Sequence, residues 1–282
     1  MEPLVIDNIQ LGADYFCLRI FCPEIAEAYQ PGQFVMLRAW AGYDPLLPRP
    51  FAIHQTWQRQ DQGQQGIEIL YQVVGRGTRL MAGLKPGDQI YLVGPLGKGF
   101  IIPEGLQSAF LVGGGMGIAP LLALAHKIIR DSRPSPKLSL LLGGKGKEDL
   151  LRVKEFIELK VSVHLATEDG SVGHKGLVTE MLPTIIPRQR PQVIYASGPE
   201  AMLKKIAHEA SHYEIPCQVS LERLMACGIG ACLSCVTRTR LAQPPEGLSP
   251  DGVSPTPFQY QRVCLDGPVF EAQEVIWNNG AE

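Results

Sequence analysis

Three cysteines lie within nine residues in the last quarter of the chain, in the run Cys227-Gly-Ile-Gly-Ala-Cys232-Leu-Ser-Cys235, and a fourth, Cys264, follows at a distance. The spacing C-x4-C-x2-C with a distant fourth cysteine is the plant-type ligand pattern of a [2Fe–2S] cluster. The two glycines between the first two cysteines suit such a loop, because glycine adopts positive φ and lets backbone N–H groups turn toward sulfur. The sequence therefore predicts an iron–sulfur cluster on these four thiolates.

Two other interpretations of the cysteine run stay open. A structural zinc site usually pairs two C-x2-C or C-x2-C/H-x3-H knuckles, and this chain offers one such pair. Simple burial in a core is the other alternative, although three of only seven cysteines fall in this short run. The isolated Cys17, Cys22 and Cys217 have no motif around them and are interpreted as small core residues.

The composition indicates a globular chain with room for more than one core. A length of 282 residues suggests two domains, or two and a small appendage, and 45% hydrophobic with 19% charged residues is ordinary for such a chain. A net charge of −2 gives no reason to expect nucleic acid or an anionic membrane as partner. The chain has no run of 18 apolar residues that would span a membrane. Its first residues lack a signal-peptide pattern, and the odd cysteine count argues for a reducing compartment, so we expect a cytoplasmic protein.

Residues 1–103 resemble a series of strands separated by Gly and Pro turns. The candidate strands alternate apolar and polar residues, and they are Tyr15–Phe21, Gln33–Ala39, Arg49–His54, Ile67–Val74 and Gln89–Val93. Helical periodicity is confined to the neighbourhood of Thr78–Leu84. This pattern predicts an N-terminal antiparallel β-barrel.

Two stretches of this barrel have residue types suited to holding a phosphate. The first is Arg49-Pro50-Phe51-Ala52, where a strand would fix an arginine that can offer a bidentate fork. The second runs from Leu70 to Thr78, a strand that enters the turn Gly75-Arg-Gly77-Thr78 before a short helix and could present backbone N–H groups. The alternative is a core strand with a surface arginine, followed by an ordinary turn.

Residues 104–212 alternate between strands and helices. The strands are predicted at Ser108–Val112, Lys137–Leu142, Val161–Ala166 and Gln192–Ala196, and the helices at Leu121–Arg130, Glu148–Glu158, Gly176–Leu182 and Pro199–His212. This βαβ order predicts a central, doubly wound parallel α/β sheet, which binds ligands beyond the carboxyl ends of its strands.

The loop Gly113–Pro120 stands at such a strand end. It departs from G-x-G-x-x-G because Ile118 takes the third glycine's place, but strand, glycine-rich turn and helix follow one another and favour a diphosphate. The loops Thr167–Ser171 and Ser197–Glu200 end two further strands and are candidates for nucleotide contacts. The alternative for all three loops is a tight turn or a helix cap.

Together these parts resemble the ferredoxin-reductase superfamily, through Arg49–Ala52, Gly75–Thr78, Gly115–Pro120 and Ser197–Pro199. With the run from Met225 to Cys235 added, nearly the whole chain resembles the electron-transfer subunits of class 1B dihydroorotate dehydrogenases. The resemblance implies three domains: an FAD-binding barrel at 1–103, an NAD-binding α/β domain at 104–212 and a small [2Fe–2S] domain at 213–282.

Carried over to this chain, the resemblance and the strand ends give a set of cofactor-binding residues. FAD is expected on Arg49, Pro50, Phe51, Ala52, Leu70, Tyr71, Gln72, Gly77 and Thr78. NAD is expected on Gly115, Gly117, Pro120, Ser197, Gly198 and Pro199. Ala52 stands where the family usually has serine, and Ser197 where related reductases often have cysteine, which could retune hydride transfer. The proline-rich stretch Gln243–Phe258 is longer than the family leads us to expect.

The resemblance also implies a partner. Electrons would come from a separate FMN-containing dihydroorotate dehydrogenase subunit, in a heterotetramer with two copies of each chain, and would pass through the cluster and FAD to NAD+ in pyrimidine biosynthesis. Flavin converts single electrons into hydride, so no catalytic acid or base is predicted here. The alternatives are a related subunit of an NADH-dependent ferredoxin:NADP reductase, a sulfide dehydrogenase or a hydrogenase, and a non-enzymatic redox carrier or sensor.

Overall fold

A computed structural model describes residues 3–59, 63–241 and 257–277. The N-terminal part is built from two antiparallel sheets, as the alternating pattern predicts. The four-stranded sheet has the order β1 (Leu4–Gln10), β2 (Tyr15–Phe21), β6 (Gln64–Gln72), β5 (Gln55–Arg59). The three-stranded sheet has the order β4 (Arg49–Ala52), β3 (Phe34–Arg38), β7 (Tyr91–Leu96). Two short helices, α1 (Pro23–Ala28) and α2 (Arg76–Ala82), complete this part.

Backbone hydrogen bonds join the two sheets at both edges. On one side the N–H of Val5 donates to the carbonyl of Asp88 (2.9 Å), and on the other the N–H of His54 donates to the carbonyl of Glu68 (2.8 Å). Alternate residues of each strand point inward, so that branched side chains such as Leu18, Leu37 and Ile69 are fully buried in one core. The strands therefore close into the predicted barrel.

The central part is a seven-stranded sheet. Its order is β11 (His174–Lys175), β10 (Ser162–Thr167), β9 (Lys137–Gly144), β8 (Ser108–Gly114), β12 (Val193–Ser197), β13 (Cys217–Ser220), β16 (Val269–Glu271). Every pairing is parallel except that of β13 with β16. The chain enters at β8, builds outward to β11 and then crosses to β12, so the strand order reverses between β8 and β12.

Helices cover both faces of this sheet. They are α3 (Ala119–Asp131) and α4 (Val153–Glu158) on one face, and α5 (Leu182–Gln189) and α6 (Glu200–His212) on the other. Successive residues of β8 alternate between the two cores: Leu111 packs with α3, whereas Phe110 and Val112 pack with α6. The doubly wound α/β sheet predicted from the sequence is confirmed. No described helix is long and apolar enough to span a membrane.

Two helix predictions were wrong. The predicted helix Glu148–Glu158 is broken, because the Asp149 carboxylate accepts hydrogen bonds from the N–H groups of Lys145 and Gly146, and Arg152 takes a left-handed conformation (φ 59°) before α4 begins. The predicted helix Gly176–Leu182 is replaced by a 3-10 turn over Val178–Met181 that leads into α5. Gly176 itself has φ 135°, which no helix allows.

The central sheet also includes strands from beyond residue 212, where the sequence places the end of the α/β domain and the start of the cluster domain. Both β13 and β16 come from the last segment of the chain, and they extend the sheet at its edge. That segment also forms a hairpin of β14 (Val236–Arg240) and β15 (Phe258–Arg262). The predicted excursion Gln243–Phe258 lies outside the described residues, except for its last two positions.

A buried histidine fastens the barrel to the sheet. His54 follows β4, and its Nδ1 lies 2.7 Å from the carbonyl oxygen of Ala119, the first residue of α3. Since a carbonyl only accepts, Nδ1 carries the proton and donates. Burial lowers the pKa of His54 to about 4, so the ring is neutral at physiological pH. This hydrogen bond holds the end of β4, the strand expected to bind FAD, against α3, the helix that follows the glycine loop.

Candidate functional site

A cavity of about 400 Å³, the barrel cavity, lies between the barrel, the glycine loop and the end of β13. Seven of the nine residues predicted to bind FAD line it: Pro50, Phe51, Ala52, Leu70, Tyr71, Gln72 and Thr78. Pro120 and Ser197, predicted for NAD, line the same cavity. Tyr71 is braced by the ring of Phe16, which stacks on it with centroids 5.5 Å apart, and by the edge of Phe51. The cavity thus has a rigid aromatic wall of the kind that planar cofactors pack against.

Arg49 and Gly77 lie outside the linings of both large cavities, next to one another. A β-carbon on Gly77 would stand 3.6 Å from Nε of Arg49, an ordinary contact, and 3.2 Å from the ring of Trp40, which would have to shift. Nη1 of Arg49 donates to the carbonyls of Leu47 (2.7 Å) and Pro48 (3.3 Å). Within the described chain Arg49 has no carboxylate partner, which leaves its charge available to an anion.

The turn before α2 differs from the expected phosphate cradle. The hydroxyl oxygen of Thr78 accepts hydrogen bonds from the N–H groups of Val74 (2.9 Å) and Gly75 (3.1 Å). Those two donors are satisfied within the protein. Arg49 is therefore the stronger candidate for a diphosphate contact at this end of the barrel.

We expect the substitution Arg49→Ala to weaken FAD binding roughly 30-fold, because one charge-assisted contact to phosphate contributes about 2 kcal/mol. Flavin retention after dialysis and titration of the apoprotein with FAD measure the effect. Arg79→Ala removes an exposed arginine of α2 and serves as the control. Equal FAD affinity in the two variants would contradict a phosphate role for Arg49.

A second cavity of about 700 Å³, the sheet cavity, opens at the carboxyl ends of β8, β9 and β12. The predicted residues Gly115, Gly117, Gly198 and Pro199 line it. The sequence had not singled out several others, which come from distant elements: Tyr15, Asp149, Thr179, Ala201, Met202, Lys205 and Glu222. Such a cleft at the reversal of strand order is where doubly wound sheets bind nucleotides.

Close backbone packing explains the glycine loop. A β-carbon on Gly117 would lie 2.0 Å from the carbonyl oxygen of Ser197 and 2.7 Å from Cα of Gly198. Gly115 has φ 51°, with nothing within 4 Å of its missing side chain. The loop after β8 therefore rests directly on the loop after β12, and open space lies above it. The start of α3 itself offers few donors to an anion, since the N–H of Ala119 donates to the carbonyl of Met116 and Pro120 has no N–H.

The two cavities meet. Three residues line both of them: Gln72 at the end of β6, Met116 in the glycine loop and Glu222 beyond β13. A ring bound in the barrel cavity and a ring bound in the sheet cavity would both contact these residues. Glu222 carried no recognisable signal in the sequence, since its place depends on the pairing of β13.

The four motif cysteines converge as two pairs. Hydrogen bonds from Ser234 and Cys227 lower the pKa of Cys232 to about 6, and Cys232 is exposed. Cys235 and Cys264 are buried together, and the N–H of Cys264 lies 3.4 Å from Sγ of Cys235. Burial, followed by the hydrogen bond with Cys235, raises the pKa of Cys264 to about 11.

The loop has the features that a [2Fe–2S] cluster requires. Gly228 and Gly230 both have positive φ (73° and 78°), and the N–H of Gly230 donates to Sγ of Cys264 at 3.2 Å. Two thiolate pairs match a core in which each iron takes two cysteines. Across residues 3–59, 63–241 and 257–277, no three His, Cys, Asp or Glu side chains come close enough to hold a single metal ion. The single C-x2-C knuckle and the two cysteine pairs fit the two-iron cluster that the spacing predicts.

The cysteine loop lies against the barrel. A β-carbon on Gly228 would stand 2.3 Å from Cγ of Met36 on β3, and Met225, two residues before Cys227, lines the barrel cavity. Cys232 faces outward. The order along the molecule is therefore the cysteine loop, the barrel cavity and the sheet cavity.

Comparison with known families finds matches to both the sheet and the cysteine loop. Residues 111–208 match the oxidoreductase NAD-binding domain, and residues 222–248 match the iron–sulfur cluster binding domain of dihydroorotate dehydrogenase B. A solved NADH-dependent reduced ferredoxin-NADP oxidoreductase superposes with a TM-score of 0.80 at 29% identity, covering 98% of this chain and 90% of that one. A ferredoxin NADP+ reductase from Neisseria gonorrhoeae, solved with FAD and NADP, shares the fold over 76% of this chain and 91% of its own (TM-score 0.59, 18% identity).

Curated relatives match almost end to end. The dihydroorotate dehydrogenase B (NAD(+)) electron transfer subunit of Desulforamulus reducens is 34% identical over 97% of both chains. The subunit of the same name from Caldanaerobacter subterraneus subsp. tengcongensis is 39% identical over 88% of this chain and 87% of its own. That of Fusobacterium nucleatum is 34% identical over 96% of both. The chain belongs to the family of dihydroorotate dehydrogenase B electron transfer subunits.

Proposed function

We propose that this chain takes electrons from an FMN-containing dihydroorotate dehydrogenase subunit and passes them through a [2Fe–2S] cluster and FAD to NAD+, in pyrimidine biosynthesis. The observation that carries the proposal is the linear order of the three sites. Cys232 reaches the surface, Met225 of the same loop lines the barrel cavity, and Gln72, Met116 and Glu222 join that cavity to the sheet cavity.

Each cofactor has residues suited to hold it. Cys227, Cys232, Cys235 and Cys264 would bind the cluster, and the N–H of Gly230 would stabilise its charge. The aromatic wall of the barrel cavity would hold the flavin ring, and the loops of Gly117 and Gly198 would hold the nicotinamide nucleotide. Bound FAD supplies the conversion between single electrons and hydride. The protein positions the three groups and keeps water from the buried thiolates.

A ring of exposed leucine and isoleucine side chains around Cys232, the cluster rim, is the surface we assign to the partner. It consists of Leu224 (89% exposed), Ile229 (60%), Leu233 (59%) and Leu265 (44%). Leu265 lies against Gly230, and Leu224 receives a hydrogen bond from Ser234 on its carbonyl, so the rim surrounds the outward-facing thiol. Apolar side chains this exposed and this close together mark an interaction site. The assembly we propose is a cytoplasmic heterotetramer with two copies of each subunit, in which one partner chain covers each cluster rim.

A second candidate has support of its own. The structural similarity to an NADH-dependent reduced ferredoxin-NADP oxidoreductase extends over 98% of this chain, so the same three sites could serve another electron donor. A carrier or sensor without nicotinamide is disfavoured, because the sheet cavity and the close packing of Gly117 would then have no use.

Recovery of the tagged chain from its host under anaerobic conditions separates the two candidates. A co-purifying FMN protein that binds dihydroorotate supports the first candidate, and its release by polar substitution of Leu224 and Leu233 supports the cluster rim as the contact. Co-purification of a flavin protein without affinity for dihydroorotate would move the chain to the second candidate.

A further inference from the structure

Glu222 occupies the junction of the two cavities. Among the charged side chains that the structure describes, it is the one that lines both cavities, and the other two shared residues, Gln72 and Met116, do not titrate. Its side chain is exposed, and because it lines both cavities, part of that exposed surface is wall that bound flavin and nicotinamide rings would cover. A carboxyl group therefore stands where the two reacting rings would meet.

The backbone holds Glu222 rigidly. It is the second residue beyond β13, which pairs with β12 on one side and β16 on the other. The N–H of Leu221 donates to the carbonyl of Pro268 at 2.9 Å, and the Leu221 side chain is buried. The sheet thus fixes the backbone from which the Glu222 side chain extends into both cavities.

The carboxyl has no hydrogen-bond or ion-pair partner among the described residues. Although the residue is exposed at the cavity walls, the protein packed around the carboxyl group takes part of its water away and raises its pKa above the ordinary value. Its neighbour Arg223 is committed elsewhere, since Nη1 lies 2.9 Å from Oε2 of Glu200 and 2.8 Å from the carbonyl of Glu222. The titratable and charged side chains facing it across the cavities are Tyr15, Tyr71, Lys145, Asp149, Glu168, Glu180, Lys205 and Arg223.

Several of these groups already have hydrogen-bond or ion-pair partners of their own. Tyr15 donates to Asp149, and Lys205 lies 3.0 Å from the carboxylate of Glu209. A cation already paired in this way does little to hold Glu222 in its charged form. These surroundings therefore shift the Glu222 carboxyl toward its protonated form, which can give a proton away.

The proposed function creates a need for such a proton, and the inference rests on it. A hydride brings its own hydrogen, so transfer from NADH to flavin needs no acid. Electrons that arrive singly from the cluster bring none, and a proton must accompany them before a hydride can leave for NAD+. We propose that the carboxyl of Glu222 donates this proton in the forward direction and accepts it in reverse.

The step balances. Two electrons from the cluster and the proton of the Glu222 O–H bond reach the flavin, and the carboxylate left behind is reprotonated from solvent through the open cavity. NAD+ then takes two electrons and that hydrogen together as hydride. A positioned acid of this kind accelerates proton transfer by about 100-fold or more.

The test uses the intact complex with its co-purified partner, in the wild type, Glu222→Gln and the control Glu104→Gln, an exposed glutamate away from both cavities. Stopped-flow mixing with NADH follows bleaching of the flavin and then reduction of the cluster. In Glu222→Gln the bleaching should persist, while the second phase should slow about 100-fold. Redox-induced infrared difference spectra should show a protonated-carboxyl band that shifts in D2O, in the wild type and the control but not in Glu222→Gln.

Each other outcome is decisive. A band that persists in Glu222→Gln, or an unchanged second phase, would overturn the inference while NADH still bleaches the flavin. If NADH fails to bleach wild-type flavin, the proposed function falls and the inference with it. If Glu222→Gln does not fold, Glu222→Asp takes its place; it keeps a carboxylic acid and must retain the band. A wild-type spectrum without the band would by itself refute the role of Glu222.

Discussion

Replacement of Cys232 by serine should abolish dihydroorotate-dependent reduction of NAD+ in the complex, while reduction of an artificial dye by NADH continues. Cys232 belongs to the exposed half of the thiolate set, and its removal leaves one iron with a single cysteine. Cys232 lines neither the barrel cavity nor the sheet cavity, so the proposed flavin and nicotinamide sites lose no contact. The expected readout is loss of iron, acid-labile sulfide and the cluster's electron paramagnetic resonance signal, with FAD content unchanged.

Cys22→Ala is the matched control, because Cys22 is a core cysteine with no role in the proposed path. Its iron content and both activities should remain those of the wild type. Parallel loss of the dye activity and the dihydroorotate activity in Cys232→Ser would contradict the proposed separation between cluster and flavin. It would mean that the cysteine loop supports the whole structure.

The substitution Gly117→Ala should raise the KM for NADH roughly 100-fold, which corresponds to the loss of about 3 kcal/mol of contacts to a diphosphate. The new methyl group would lie 2.0 Å from the carbonyl oxygen of Ser197, so the two loops must separate. Bleaching of the flavin by NADH, followed at increasing NADH concentration, measures the effect. FAD should stay bound, since most of its predicted contacts come from β4 and β6 of the barrel.

Gly105→Ala distinguishes this effect from backbone strain. Gly105 has φ 68° and nothing within 4 Å of its missing side chain, and it lines neither cavity. Alanine there costs about 1–2 kcal/mol of stability, and the KM for NADH should not change. A normal KM in Gly117→Ala would show that the nucleotide does not use the contact between the two loops.

The sequence was informative where chemistry is local. The cysteine spacing and its two glycines predict a loop whose geometry the structure reproduces, because three thiolates and their N–H donors come from nine consecutive residues. The glycine loop was equally readable, since strand, turn and helix follow one another directly. Such signals depend on neighbouring residues alone.

Features that depend on contacts between distant parts of the chain could not be predicted from the sequence. The predicted helix breaks at Arg152, whose guanidinium contacts Cys17 on the barrel, 135 residues away. Glu222 meets both cavities only once β13 has paired with β12. The strand β16 joins the sheet antiparallel from the far side of the cysteine loop. These contacts join residues that are far apart in the sequence, so local sequence patterns do not predict them.

The central claim is the electron path from a dihydroorotate-oxidising partner to NAD+. The most direct measurement is dihydroorotate-dependent reduction of NAD+ by the anaerobically recovered complex, before and after the co-purifying subunit is removed and then returned. We expect activity that disappears with the subunit and reappears with it, while NADH bleaches the flavin throughout. NAD+ reduction that never responds to dihydroorotate, with flavin bleaching intact, would contradict the assignment of the donor.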